Sequence, residues 1–162
     1  MKGLNRQEGD LFVDQVSLAD IAEKYGTPAY VYSASKIREN LNNYIDVVGE
    51  NDKICYSVKS NSNIHILRML SKLGSGFDVV SGNELRKCLM AGAKPENIVF
   101  SGVGKTKEEI KLAVKENIFS INIESEEELK RIIEVSIGSG TQTNCIIRVN
   151  PNISAESHPY IQ

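Results

Sequence analysis

The sequence predicts an α/β fold built from one repeated strand–helix unit. Three observations predict it. From Lys53 onward, short β-branched runs alternate with stretches of helical spacing. Three of the helical stretches open on a capping signal. And the residues at or just past the strand ends, Lys59, Ser81, Gly102, Glu124 and Asn150, stand 22, 21, 22 and 26 positions apart. Strand-crossover-strand units of this size form parallel sheets with right-handed connections. Two architectures answer to that description: a doubly wound sheet or a (β/α)8 TIM-type barrel. In both, ligands sit at the carboxyl ends of the strands.

The elements follow in order. Residues 1–27 precede the regular rhythm and read as an N-terminal appendage. "SLADIAEKYG" is a short helix, Pro28 to Tyr32 an extended segment, and Ala34 to Val48 a longer helix. The strand candidates are "KICYSV" (53–58), "GFDVVS" (76–81), "NIVFS" (97–101), "FSINI" (119–123) and "TNCIIRV" (143–149). Most are continuous apolar runs, as expected of strands covered on both faces. Between them, Ser81 precedes Glu84, Thr106 precedes Glu109 and Ser125 precedes Glu128, each by three residues. That spacing fits a capping box, in which a hydroxyl takes one orphan N–H and a carboxylate reaches back to another. Ile66, Met69, Leu70 and Leu73 recur at helical spacing, as do Leu129, Ile132 and Ile133. Gly74, Gly92 and Gly138 are placed to end helices.

The bulk composition narrows the function classes. With 162 residues, 41% apolar and 25% charged, the chain can bury a fair core. A net charge of −2 gives no reason to expect nucleic acid or an acidic membrane as partner. No run approaches the roughly 20 apolar residues of a membrane span, and the first residues show no signal-peptide core. Cys55, Cys88 and Cys145 are odd in number and far apart. They read as reduced, buried small side chains of a cytoplasmic protein. The "NIS" at Asn152 is a glycosylation sequon without a secretory context.

Several residues could carry chemistry. "KICYSVKSNSN" drives a strand into Lys59 and then stops it with a polar cluster. A lysine in that position can act as a carbonyl-trapping amine or can simply be a solvated strand end. "SGVGKT" resembles a phosphate loop but fails on count, because position 99 is valine; Thr106 reads as a helix cap. Asp78 and Arg148 are charged residues inside apolar strands. Asp78 calls for a partner, or faces a barrel interior or caps a neighbour's N–H; Arg148 can hold an anion or an acidic side chain, or stand in a buried ion pair. His65 reads as a helix surface residue. It and His158 do not make a metal site.

At "YSVKSNSN", "GFDVVSGNEL", "NIVFSGVGKTKEEI" and "RVNPNISAESHPYI", in order and properly spaced, the chain resembles the diaminopimelate decarboxylase family. That family belongs to the alanine-racemase-like, fold type III group of pyridoxal-phosphate enzymes. The resemblance runs from about Thr27 to the last residue. It implies a (β/α)8 barrel carrying pyridoxal 5'-phosphate, with only about the first five βα units in residues 28–162 and the family's β-sandwich domain largely absent. It implies that Lys59 is the lysine that bonds the cofactor aldehyde. Asp78 and Glu84 match the family's D-x-x-S-x-x-E segment beside the cofactor, Arg148 an arginine near it, and "HPYI" a loop close to the site. The implied reaction is decarboxylation of meso-diaminopimelate to L-lysine, by a homodimer that completes its site across the interface.

The family's chain is far longer than 162 residues. The expectation is therefore an N-terminal part of the enzyme, inactive alone and prone to aggregate through open sheet edges. Alternatives stay open: a decarboxylase of another basic amino acid, of the ornithine or arginine type, a racemase on the same barrel, or a pyridoxal-phosphate binding protein without turnover.

Overall fold

The structure is a computed structural model that describes residues 3–151. Two sheets organise it. The first is a small antiparallel meander of β1 (Leu4–Gln7), β2 (Asp10–Val13) and β3 (Val16–Ser17). It runs directly into helix α1 (Leu18–Tyr25), whose cap Ser17 accepts from the amides of Ala19 and Asp20. The appendage thus has strands that the sequence reading missed. Asp14, in the tight turn between β2 and β3, joins it to the rest: its carboxylate accepts from Gly3 N–H and Ser33 Oγ, both at 2.8 Å, and from the Ser35 hydroxyl. Ser33 is also the cap of helix α2 (Ala34–Ile45).

The second sheet is parallel and has five strands: β4 (Cys55–Ser57), β5 (Gly76–Val79), β6 (Ile98–Phe100), β7 (Ser120–Ile123) and β8 (Cys145–Ile147). They pair strictly in sequence order. A doubly wound sheet reverses its order at a switch point; this one does not, and its order is that of a (β/α) barrel wall. Each expected strand is found, trimmed by one or more residues at one or both ends, with Lys53, Val58 and Arg148 outside the ladder.

Helices α3 (Ile64–Lys72), α4 (Gly82–Met90), α5 (Lys107–Lys115) and α6 (Glu126–Ser139) connect the strands. Alternation along the strands sorts the two faces of the sheet. Phe77, Val79, Ile98, Phe100 and Ile121 are fully buried and form the core with Leu67, Leu85, Ile110 and Ala113 from the helices. The register sets Ser57 beside Asp78 and Asp78 beside Val99, so the opposite face carries Ser57, Asp78, Val99, Ser120 and Asn122. Gly76 is required where it lies: a Cβ there would stand 2.7 Å from Asn97 O and 2.9 Å from Cys55 Sγ.

The capping residues are those expected, with two refinements. Ser81, Thr106 and Ser125 each accept from the amide three residues on. Only Thr106 and Glu109 close a reciprocal box. Glu84 and Glu128 reach one residue further back, to the amides of Val80 (2.8 Å) and Glu124 (2.9 Å). Gly138 does not end its helix; α6 continues to Ser139 and turns at Gly140, whose φ of 64° is left-handed. The cysteines are free, but only Cys88 is buried; Cys55 is half-buried and Cys145 is exposed on β8. No helix among the described residues is long and apolar enough to cross a membrane.

Candidate functional site

The carboxyl ends of the parallel strands gather the polar chemistry. β4 ends in a single 3-10 turn, Val58–Ser60. Val58 is fully buried and anchors the turn, while Lys59 beside it is exposed. Three bonds hold the turn: Ser60 Oγ donates to Ser57 O at 2.7 Å, Asn61 N–H to Val58 O at 3.1 Å, and Tyr56 Oη to Asn61 O at 3.2 Å. Asn63 then caps α3 by accepting from His65 N–H. His65 is on the exposed surface of that helix, as expected. The polar cluster after Lys59 therefore has a local function, which is to end the strand and start the helix. The Lys59 ammonium itself has no partner among the described residues.

On the neighbouring strand, Asp78 is half-buried on the polar face of the sheet. Ser101 Oγ donates to Asp78 Oδ1 at 2.5 Å, and Asn122 Nδ2 donates to that same Ser101 Oγ at 2.9 Å. A hydrogen-bonded row thus crosses three strand ends. Its surroundings are under-satisfied: Ser57 Oγ, Ser120 Oγ and Asn122 Oδ1 are buried without a hydrogen-bond partner. Buried polar atoms left this way mark a place where a further group is expected. Burial, and then the charge of Asp78, push the Cys55 thiol above its ordinary value.

Glu84 is on the same end of the sheet but is committed to the Val80 amide. Glu109 bridges two helices, accepting from Thr106 N–H at 2.9 Å and from Gly82 N–H at 2.7 Å. Partial burial opposes its ionisation. The Gly82 and Thr106 amides, the Thr106 hydroxyl and Arg86 outweigh that and hold it below the usual carboxylate range. Arg148 follows β8. Just past the ladder its amide donates to Ile123 O at 3.0 Å, and its guanidinium reaches Glu124 at 2.9 Å. Its side chain is 58% exposed against 15% for Glu124, so the arginine keeps free donors.

The sequence reading missed four residues here: Ser101, Asn122, Glu124 and above all Lys105. Lys105 is 3% exposed and donates to Gly102 O (2.7 Å), Asn122 O (2.7 Å) and Glu128 Oε1 (3.0 Å). Its signal was within "SGVGKT", a stretch weighed only as a phosphate loop. His158 and "HPYI" lie outside the described residues. No group of three or more metal-ligating side chains occurs among the described residues. Two cavities, of about 460 and 400 Å³, lie beside α2; the first adjoins Ile54 and Gly76, the second runs along β4 as far as Ser57, and a third of about 260 Å³ is lined by Tyr56, Ser60 and Asn61 at the Lys59 turn.

A wall of consecutive parallel strands with a lysine and an arginine past its carboxyl ends and a pinned carboxylate on its polar face is the ligand-binding layout of a (β/α) barrel. Residues 34–162 match the family model of the pyridoxal-dependent decarboxylases, pyridoxal binding domain, and the chain belongs to that family. Within it, the chain is similar to diaminopimelate decarboxylases. It is 45% identical to that of Vibrio cholerae over 157 residues, 96% of this chain and 38% of the relative. The structure of diaminopimelate decarboxylase from M. jannaschii in complex with L-lysine superposes with a TM-score of 0.89 at 38% identity, covering 98% of this chain and 38% of that one. The Helicobacter pylori enzyme with L-lysine gives 0.84 at 43% identity, covering 88% and 36%. The chain thus spans less than two fifths of the length of the relatives it matches.

Proposed function

We propose that this chain supplies the cofactor lysine and one wall of the active site of a pyridoxal 5'-phosphate-dependent decarboxylase that converts meso-diaminopimelate to L-lysine. One observation carries the reading: Lys59 is exposed and unpartnered in a braced turn at the carboxyl end of a parallel strand, on the sheet end that holds the Asp78 row. Its position in "YSVKSNSN" supports the assignment, as do L-lysine complexes of relatives.

The residues fit the cofactor. Lys59 offers an amine for its aldehyde carbon, Arg148 spare donors for an anion, and Ser57 Oγ and Asn122 Oδ1 unmet hydrogen-bonding capacity. When bound, pyridoxal phosphate supplies the electron sink for the carbanion left by loss of carbon dioxide. The chain's own contribution is placement. The buried Val58 and the bonds of its turn fix the height of the Lys59 backbone, from which the amine projects. Ser101 and Asn122 fix Asp78, so that its negative charge stands at a set place. Glu124 fixes Arg148. Glu84 secures the start of α4 and the backbone of Val80 beside Asp78.

Residues 1–27 are read as a separate appendage and 28–162 as part of the cofactor barrel. The resemblance supports a homodimer, and three unpaired cysteines agree with a cytoplasmic setting. The test mixes the purified chain with pyridoxal phosphate, records its absorbance, fixes the adduct with borohydride and maps it by mass. Label confined to Lys59 is the expected result. Label scattered over surface lysines overturns the reading.

A further inference from the structure

Lys105 has no part in the reading above, yet it is the most completely engaged cation described. All three of its protons point at acceptors: Gly102 O, Asn122 O and Glu128 Oε1, at 2.7, 2.7 and 3.0 Å. Its side chain is 1% exposed and that of Glu128 is 6%. A lysine so satisfied has no proton or lone pair left to offer a substrate.

Stability alone does not account for it. Replacing a buried ion pair with apolar groups is often neutral or favourable. What an apolar pair cannot do is hold several backbone segments at fixed heights. The acceptors of Lys105 are the relevant ones. Gly102 adjoins Ser101, and Asn122 is the other member of the row that pins Asp78. Glu128 uses its second oxygen on the Glu124 amide at 2.9 Å, and the Glu124 carboxylate holds Arg148. One ammonium thus joins the two separate supports, that of Asp78 and that of Arg148.

We propose that Lys105 is a positioning residue. By clamping the chain after β6 and at β7 to the start of α6, it sets the places of Asp78 and Arg148 on the cofactor-facing end of the sheet. The proposal rests on the function read above, and the test separates the two.

Two variants are compared with the wild-type chain. Lys105→Arg keeps the charge, but its planar fork cannot put donors on the same three acceptors. Lys105→Met/Glu128→Gln removes both charges, so neither remains buried alone, and leaves an amide oxygen for the Glu124 N–H. It keeps the proposal testable should Lys105→Arg fail to fold. The first readout uses no cofactor: the nitrogen-15 NMR signals of the Arg148 guanidinium and the Asn122 side-chain amide. The second is the rate of borohydride-fixed labelling at Lys59 by pyridoxal phosphate. Positioning predicts that in both folded variants the Arg148 signals move to those of a free arginine and Lys59 labelling falls at least tenfold. Unchanged Arg148 signals together with wild-type labelling overturn it. If the wild-type chain does not label Lys59 selectively, the proposed function falls, and the Arg148 signals alone decide on Lys105.

Discussion

Lys59 and Lys105 both stand a few residues past the end of a strand in the same parallel sheet, and their surroundings are opposite. Lys105 is buried, with three acceptors converging on its nitrogen. Lys59 is exposed on a turn whose own backbone is fully braced, and its ammonium has no partner among the described residues. The difference lies in which neighbour supplies carboxylate and carbonyl. After β6 the chain turns inward, and Glu128 of the next helix but one start reaches Lys105. After β4 the buried residue is Val58, and the adjacent lysine is turned outward. The sheet thus spends one lysine on holding the backbone and leaves the other chemically available. Charge and residue type are identical; burial and partners decide the role.

The predictions test how deep that contrast runs. The largest effect is expected at the open lysine. Lys59→Ala should abolish the site-specific borohydride-fixed label while changing unfolding free energy by no more than about 0.5 kcal/mol, as at an ordinary surface position. A loss of stability of several kcal/mol in denaturant titration would break the contrast. Lys105→Met should do the reverse in size. It strands a buried carboxylate and should cost about 3–5 kcal/mol, read from the same titration.

The cysteines repeat the comparison at smaller scale. Burial, and then the charge of Glu84, push the Cys88 thiol up to about 12. The exposed Cys145 should therefore be alkylated by iodoacetamide at pH 8 well before Cys88, by mass spectrometry of the native chain. Equal rates would show that the helix layer opens freely. The smallest effect concerns the appendage. The Ser35 hydroxyl, the Gly3 amide and the Ser33 hydroxyl hold the Asp14 carboxyl well below its ordinary value of 3.8. A depressed folded value means that this contact contributes fully above the ordinary value and is lost progressively as pH falls from there through the lower folded value. Hydrogen exchange at Gly3 should thus show protection unaffected by pH down to about 4 and weakening below. Asp14→Asn should lose that acid-dependent step.

Much of this was legible because the signals were local. A Ser or Thr followed three residues later by Glu marks a helix start whatever the tertiary context, and all three caps are where they were read. The strands were legible as continuous apolar runs. The choice between two architectures was not, because strand order is a property of pairing across the sheet. The meander of β1, β2 and β3 escaped because its strands are two to four residues long and largely exposed, with no apolar alternation to reveal them. Gly138 was a plausible stop, but Gly140 two residues later has the left-handed turn. At the site, Lys59 was found from its own stretch of chain. Lys105 was not, since its partners, Asn122 and Glu128, are 17 and 23 residues away. A lysine just before a helix cap, together with a glutamate at the third position of the next helix, is the pattern that would have found it.

The strict sequence order of β4 to β8 bears on how the protein is made. Every strand of this sheet finds its partner in the strand synthesised immediately before it, with starting residues 21 to 25 positions apart. No strand must wait for a distant stretch of chain, so loop closure costs stay low at each addition. As the ribosome releases the polypeptide, each new strand and helix meets a finished surface to join. The wall can assemble vectorially, at the pace of translation. Lys59 lies just past the end of the first strand laid down in that order.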